Sequence, residues 1–136
     1  MARIETILLA TDASTASQAA EDEAIDLAAR LGSRLLVLSV VSGVPSIRAS
    51  RELAVEAIVQ RARAGGASAT GLTWAGDAGE SIVEASESEA ADLIVVGTHE
   101  RGTVGRLFLG SVSDHVVRHA RCPVMVVRPT RVLGGT

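Results

Sequence analysis

Apolar residues along this chain follow two rhythms: short unbroken runs, and longer stretches where they return every three or four positions. The first run, Ile4 to Ala10, holds the unbroken Ile7-Leu8-Leu9-Ala10 and reads as a strand buried on both faces. From Ser14 to Leu31 the rhythm changes. Ala16, Ala20, Ala24, Leu27, Ala28 and Leu31 fall on one helical stripe, with Ser14 or Ser17 placed to cap it and Gly32 to end it. Arg34 to Val41 is a second buried strand, and Ser42-Gly43-Val44-Pro45-Ser46 breaks the pattern. Ser50 to Ala64 reads as a helix facing inward through Leu53, Ala54, Ala57, Ile58 and Ala62, closed by Gly65-Gly66. Thr70 to Ala75 alternates loosely, as a less buried strand carrying Trp74. After the turn Gly76 to Gly79, Glu80 to Glu89 makes a third helix. Leu93 to Val96 is the clearest strand and stops at Gly97. A glycine-punctuated loop runs from Thr98 to about Leu109, then Ser111 to Ala120 gives a fourth helix and Val124 to Val127 a fifth strand.

Strands separated by helices of this length give right-handed βαβ units, hence an α/β fold with a parallel five-stranded sheet between two helical layers. There is no internal repeat or low-complexity tract, so residues 1–136 are expected to form one domain, with Arg128 to Thr136 as a short tail. In such open sheets ligands bind beyond the carboxyl ends of the strands, where strand order reverses. The residues after the first, second and fourth strands are therefore the ones that matter for function.

Composition narrows the chemistry. Hydrophobic residues make up 47% and charged residues 21%, which is ordinary for a globular protein. Trp74 and Phe108 are the only aromatic residues, so stacking platforms for bases or flavins are excluded. A net charge of -3 gives no electrostatic footprint for nucleic acid. All 13 basic residues are arginine, which rules out a Walker-type phosphate lysine and a Schiff-base lysine. The one cysteine, Cys122, fits a reducing compartment, and no segment reads as a signal peptide or membrane span; a cytoplasmic location is expected.

Two strand ends carry candidate chemistry. The first strand runs into Ala10-Thr11-Asp12-Ala13-Ser14, which lacks the G-x-G-x-x-G dinucleotide fingerprint. Asp12 instead sets a carboxylate at the mouth of the sheet, able to accept from ribose hydroxyls or to cap the first helix. The segment from Gly97 to Ser113 links strand to helix with glycines at both ends. Gly97 permits a tight turn, Gly110-Ser111 opens a helix whose first amides favour an anion, and Arg101 and Arg106 add positive charge. This describes a phosphate cradle without lysine. The same pattern also serves a surface loop in which Ser111 simply caps the helix.

The segment also carries a recognisable spacing: glycine, two residues, glycine, nine residues, then glycine and a hydroxyl residue. Gly97 and Gly110-Ser111 occupy its ends. With Ser111-Val112-Ser113-Asp114, the closing Cys122-Pro123-Val124-Met125-Val126-Val127 and the opening Leu8-Leu9-Ala10-Thr11-Asp12-Ala13-Ser14, the chain from Ile4 to Val127 resembles the universal stress protein family. That resemblance implies a flavodoxin-like sheet of order 3-2-1-4-5 and, with the full glycine spacing, ATP binding. It implies that Asp12 contacts the ribose beside Ala10 and Thr11. Val40 would offer its backbone to the adenine edge. Gly97, Gly110, Ser111 and Val112 would line the phosphates, with Thr98, His99, Arg101 and Ser113 nearby. Magnesium would arrive with the nucleotide, held by phosphate oxygens and water. The resemblance also implies a homodimer paired through the edge strand Val124 to Val127, since an apolar edge needs cover.

One position departs from the family spacing: Glu100 stands where the middle glycine belongs. Two like charges at ~4 Å repel by about 4 kcal/mol at an effective dielectric of ~20, enough to abolish weak binding. Gly102 and Gly105 allow a loop path that turns Glu100 to solvent, or Glu100 reaches a metal ion on the phosphates. A nucleotide-free dimeric interaction protein is the alternative, and a slow ATP hydrolase ranks last because no general base is set on an attacking water. His115 and His119, four apart, read as a solvated helix flank rather than metal ligands, and Cys122 as an apolar filler. Glu21-Asp22-Glu23 reads as a solvent face.

Overall fold

The unbroken apolar runs become the strands of a single sheet. The computed structural model describes residues 3–98 and 110–129. Its strands β1 (Thr6–Ala10), β2 (Arg34–Val41), β3 (Ser68–Ala75), β4 (Leu93–Gly97) and β5 (Val124–Val127) are all parallel, in the order β3-β2-β1-β4-β5. Four helices connect them: α1 (Gln18–Leu31), entered through a single 3-10 turn at Thr15–Ser17, α2 (Pro45–Ala64), α3 (Ala78–Ser88) and α4 (Ser111–His119).

Chain direction decides which face each helix covers. The steps from β1 to β2 and β2 to β3 run one way along the sheet, and those to β4 and β5 run the other. Right-handed crossovers then put α1 and α2 on one face, α3 and α4 on the opposite one. Strand alternation fills both layers. Ile7, Leu9, Leu35, Val37 and Val95 pack under α1 and α2, while Leu8, Leu36, Leu38, Ile94 and Val96 pack under α3 and α4. The inward stripe of α1 is Ala20, Ala24 and Ala28, all fully buried. Gly32 ends this helix in the left-handed conformation, φ 69°, as the sequence predicts. The Asp92 carboxylate fixes the start of β1, with Oδ2 accepting from the Glu5 and Thr6 amides at 2.9 and 3.0 Å.

Helix α2 differs from the sequence reading in two ways. It begins at Pro45 rather than Ser50, because proline at the first helical position has its φ preset and no N–H to lose. Its inward face is Val55, Ile58, Val59 and Ala62, whereas Leu53 is 76% exposed and Ala57 also faces solvent. The cause lies in β3. Gly71 leaves a gap in the strand surface that Val55 and Val59 fill; a Cβ there would come within 2.6 Å of Val55 Cγ1. Strand β3 itself starts two residues earlier than predicted, with Ser68 opposite Arg34.

Candidate functional site

Strand order reverses between β1 and β4, and a cleft of about 200 Å³ opens there at the carboxyl ends of the strands. Ala10, Thr11 and Asp12 reach it from the end of β1, Leu38 and Val40 from β2, and Val96 and Gly97 from β4. Ala78 and Ile82 from the first turns of α3 form one wall, and Val112 at the start of α4 another. Leu38, Val40, Ile82 and Val96 make the surface largely apolar, with Asp12 the carboxylate among these lining residues. Small-molecule sites usually offer roughly 300–1,000 Å³, so the described walls enclose less than a typical ligand site.

The turn after β1 is fixed by side chains. Asp12 Oδ1 accepts from the Ser14 amide at 2.9 Å and from the Ser17 hydroxyl at 2.7 Å. Thr11 Oγ1 accepts from the Ala13 amide at 2.9 Å, and Ala13 sits in the left-handed region at φ 63°. Neither Ser14 nor Ser17 caps α1 with its own side chain, contrary to expectation; the acceptor is Asp12, which also borders the cleft. Asp12 is thus not the N-cap of α1, which is Ser17, but its carboxylate binds the turn that leads into the helix and also borders the cleft.

Toward α4, Gly110 opens the helix as expected. Gly97 is outside the left-handed region, and a Cβ there would meet Ala20 Cβ at an ordinary 3.5 Å. The chain that follows Gly97 and Thr98, where the tight turn was expected, lies outside the described residues. Gly110 is the residue in positive φ, at 88°, and forms the N-cap of α4 without a side-chain cap bond. Ser111, expected as a cap, is instead the first helical residue and is exposed. Ser113 is buried, its hydroxyl 3.5 Å from the Gly110 carbonyl. Thr98 is 3% exposed; its amide donates to the Val127 carbonyl at 3.1 Å, and its hydroxyl has no hydrogen-bond partner among the described residues. His99, Glu100, Arg101, Gly102, Gly105 and Arg106 lie outside the described residues.

Of the sequence-predicted site residues, Ala10, Thr11, Asp12, Val40, Gly97 and Val112 line the cleft together. Thr98, Gly110, Ser111 and Ser113 are not among its lining residues. Sequence reasoning missed Ser17, Leu38, Ala78, Ile82 and Val96 as lining residues. Period-two alternation back from Val40 finds Leu38, and the neighbour of Gly97 on the opposite face is Val96. Ile82 had no such signal, because α3 reaches the cleft only through the crossover from β3.

Three side readings change or gain detail. Glu21 is not on a solvent face but 5% exposed, accepting from the Thr11 hydroxyl at 2.7 Å; Asp22 and Glu23 are exposed as predicted. Of the two histidines read as a solvated flank, His119 is exposed as expected, whereas His115 is half-buried. Its ring lies against Gly79 of α3, where a Cβ would come within 2.9 Å, and it stacks on His119 with centroids 4.2 Å apart. Among the described residues no group of three His, Cys, Asp or Glu is gathered for a metal ion. Cys122 is half-buried against the α3 and α4 layer. Burial raises its thiol pKa, the Asp92 charge adds to this, and a backbone hydrogen bond opposes it. No helix among the described residues is long and apolar enough to cross a membrane.

Comparison with known proteins agrees with this architecture. A universal stress protein from Thermus aquaticus, encoded in the QAH/OAS sulfhydrylase 3' region, is 40% identical over 135 residues, covering 91% of this chain and 98% of that protein. The crystal structure of a universal stress protein in complex with cAMP superposes with a TM-score of 0.81 at 27% identity, covering 95% of this chain and all of that one. The universal stress protein from Archaeoglobus fulgidus, solved in complex with dAMP, shares the fold at a TM-score of 0.77 and 19% identity, covering 93% of this chain and 100% of that one. The model of the universal stress protein family matches residues 3–128. With its five-stranded sheet, reversed strand order and cleft at the reversal, the chain belongs to the universal stress protein family.

Proposed function

We propose that this protein is a regulatory binding module for an adenine nucleotide, ATP with its magnesium ion, acting as a homodimer in the cytoplasm. The observation that carries this reading is the cleft at the strand-order reversal, where an apolar surface ends at a hydrogen-bonded aspartate. Each part of the ligand has a chemically suited neighbour. The base lies against Leu38, Val40, Ile82 and Val96, with the Val40 backbone at its polar edge, and burial of that flat surface supplies most of the attraction. The ribose hydroxyls donate to Asp12, beside Ala10 and Thr11. The phosphates approach the start of α4, through Gly110, Ser111, Val112 and Ser113, where the first helical amides have no intrahelical acceptor and the helix dipole favours negative charge. Gly97 and the buried hydroxyl of Thr98 adjoin them, as do His99 and Arg101 in this reading. The relatives solved with cAMP and dAMP support an adenine nucleotide as the ligand class. Magnesium supplies charge neutralisation on the phosphates and is held there by phosphate oxygens and water.

The test is calorimetric titration of the full chain with ATP and magnesium. A saturating heat is expected, and no heat and no thermal shift at millimolar nucleotide would overturn the reading. Glu100 favours one second reading, a nucleotide-free dimer that acts only through protein contacts. Glu100→Gly separates the two: tighter ATP binding in the variant identifies the carboxylate as the obstacle, and equal affinity shows that it points away.

A further inference from the structure

We infer that Glu21, a residue outside the cleft, is the positioning residue that sets the Asp12 turn for ribose recognition. This rests on the nucleotide reading above and adds to it a specificity-determining group on α1. A carboxylate out of water is costly unless its oxygens are matched, and in Glu21 both are. Oε2 accepts the Thr11 hydroxyl at 2.7 Å, and Oε1 accepts from Arg61 Nη2 of α2 at 3.3 Å, a guanidinium shared with Asp22 at 3.4 Å.

The consequence is directional. A hydroxyl has one proton to donate, so a Thr11 hydroxyl that gives it to Glu21 offers only lone pairs elsewhere. Those lone pairs face the Ala13 amide at 2.9 Å, and this bond holds Ala13 in its left-handed conformation. A non-glycine residue there is strained and needs such support. The same logic fixes the Thr11 carbonyl from the other side. Arg51 Nη1 donates to Ser39 Oγ at 2.8 Å, and arginine cannot accept, so the Ser39 proton goes to the Thr11 oxygen at 2.6 Å. Thr11 is thereby held through side chain and carbonyl by groups from α1, α2 and β2. The residue that follows is Asp12, whose Oδ1 is aligned by Ser14 and Ser17. Glu21 is not itself among the lining residues; it acts on the ligand only through Thr11, which is.

Glu21→Gln tests this with little change of shape. If the new amide turns its oxygen to Thr11, its NH₂ meets the Arg61 guanidinium and that contact is lost; if it turns its NH₂ to Thr11, the hydroxyl oxygen accepts it on its second lone pair and the Thr11 proton no longer has the carboxylate to bind, so the direction of the relay is lost. Two measurements are made on the full chain. The first is amide hydrogen exchange without nucleotide, where faster exchange at Ala13 and Ser14 is expected in the variant. The second is titration with ATP and with 2′,3′-dideoxy-ATP, which lacks the ribose hydroxyls. The variant is expected to lose about tenfold in ATP affinity, the scale of one misaligned hydrogen bond to a charged group, and to bind the dideoxy ligand as the wild type does. Equal losses for both ligands, or none, overturn the assignment, because a merely structural role for Glu21 weakens them alike. Unchanged exchange at Ala13 overturns it whatever the ligands do. A wild-type chain that binds neither ligand overturns the proposed function instead, and the exchange measurement then still decides whether Glu21 orders the turn.

Discussion

Cys122 shows how one residue's surroundings decide its chemistry. Its thiol is half out of water between α4 and β5, and burial raises its pKa above the ordinary thiol value. The native protein is therefore expected to react with iodoacetamide more slowly than the unfolded chain at about pH 8, below the ordinary thiol range. Equal rates in buffer and in denaturant would contradict this. The sign for stability follows from linkage. A pKa raised on folding stabilises the protein fully below the unfolded thiol value, and that contribution is lost as pH rises through the folded value. Denaturant midpoints at about pH 8 and about pH 10 should fall further apart in the wild type than in Cys122→Ala. Among single residues, Asp12 was legible in the sequence because a carboxylate after a buried strand stands out. Glu21 was not, because its burial depends on Thr11 and on Arg61, 40 positions away, and an acidic run carries no mark of which member turns inward.

At the scale of the element, the contact between α2 and β3 depends on a missing side chain. Val55 and Val59 occupy the space above Gly71, so Gly71→Ala drives a methyl group to 2.6 Å from Val55 Cγ1 and 3.3 Å from Val59 Cγ2. Overpacking of this kind costs about 1–3 kcal/mol, to be read as a lower midpoint in urea denaturation. Val55→Ala in the same chain is expected to recover part of that loss, and a neutral Gly71→Ala would show that the helix lifts freely off the strand. The sequence revealed the existence of α2 but not its face. Leu53, Ala54 and Ala57 form as good an apolar stripe as Val55, Ile58, Val59 and Ala62 when no aromatic residue marks the inside. The choice between them was made by Gly71, in the neighbouring strand. The inner strands carried no such ambiguity, since Leu8, Leu9, Leu35 to Leu38 and Ile94 to Val95 are buried on both faces of the sheet.

For the whole molecule, the two borders of the sheet differ. Strand β3 is long and lies under α2, whereas β5 has four half-buried residues, three valines and Met125, and pairs with β4 on one side. In the proposed homodimer that apolar border meets its own copy across a two-fold axis. Val126→Glu is expected to give a species of single-protomer mass by light scattering coupled to size exclusion, and an unchanged dimer would remove β5 as the interface. The alternation of strands and helices was legible from periodicity alone. The order β3-β2-β1-β4-β5 was not, and came only with the family resemblance, because hydrophobic rhythm is the same whichever neighbour a buried strand takes.

The chain has one tryptophan and no tyrosine, and in the sheet Trp74 stands directly opposite Val40. That indole packs in the same layer as the cleft walls, half-buried beside Leu72 and Val40. Its fluorescence is thus a built-in reporter, with no second emitter of its kind to obscure it. Adenine seated against Val40 should change the intensity or shift the emission maximum as ligand is added, giving an occupancy curve without any label, while a spectrum indifferent to saturating nucleotide would place the base elsewhere.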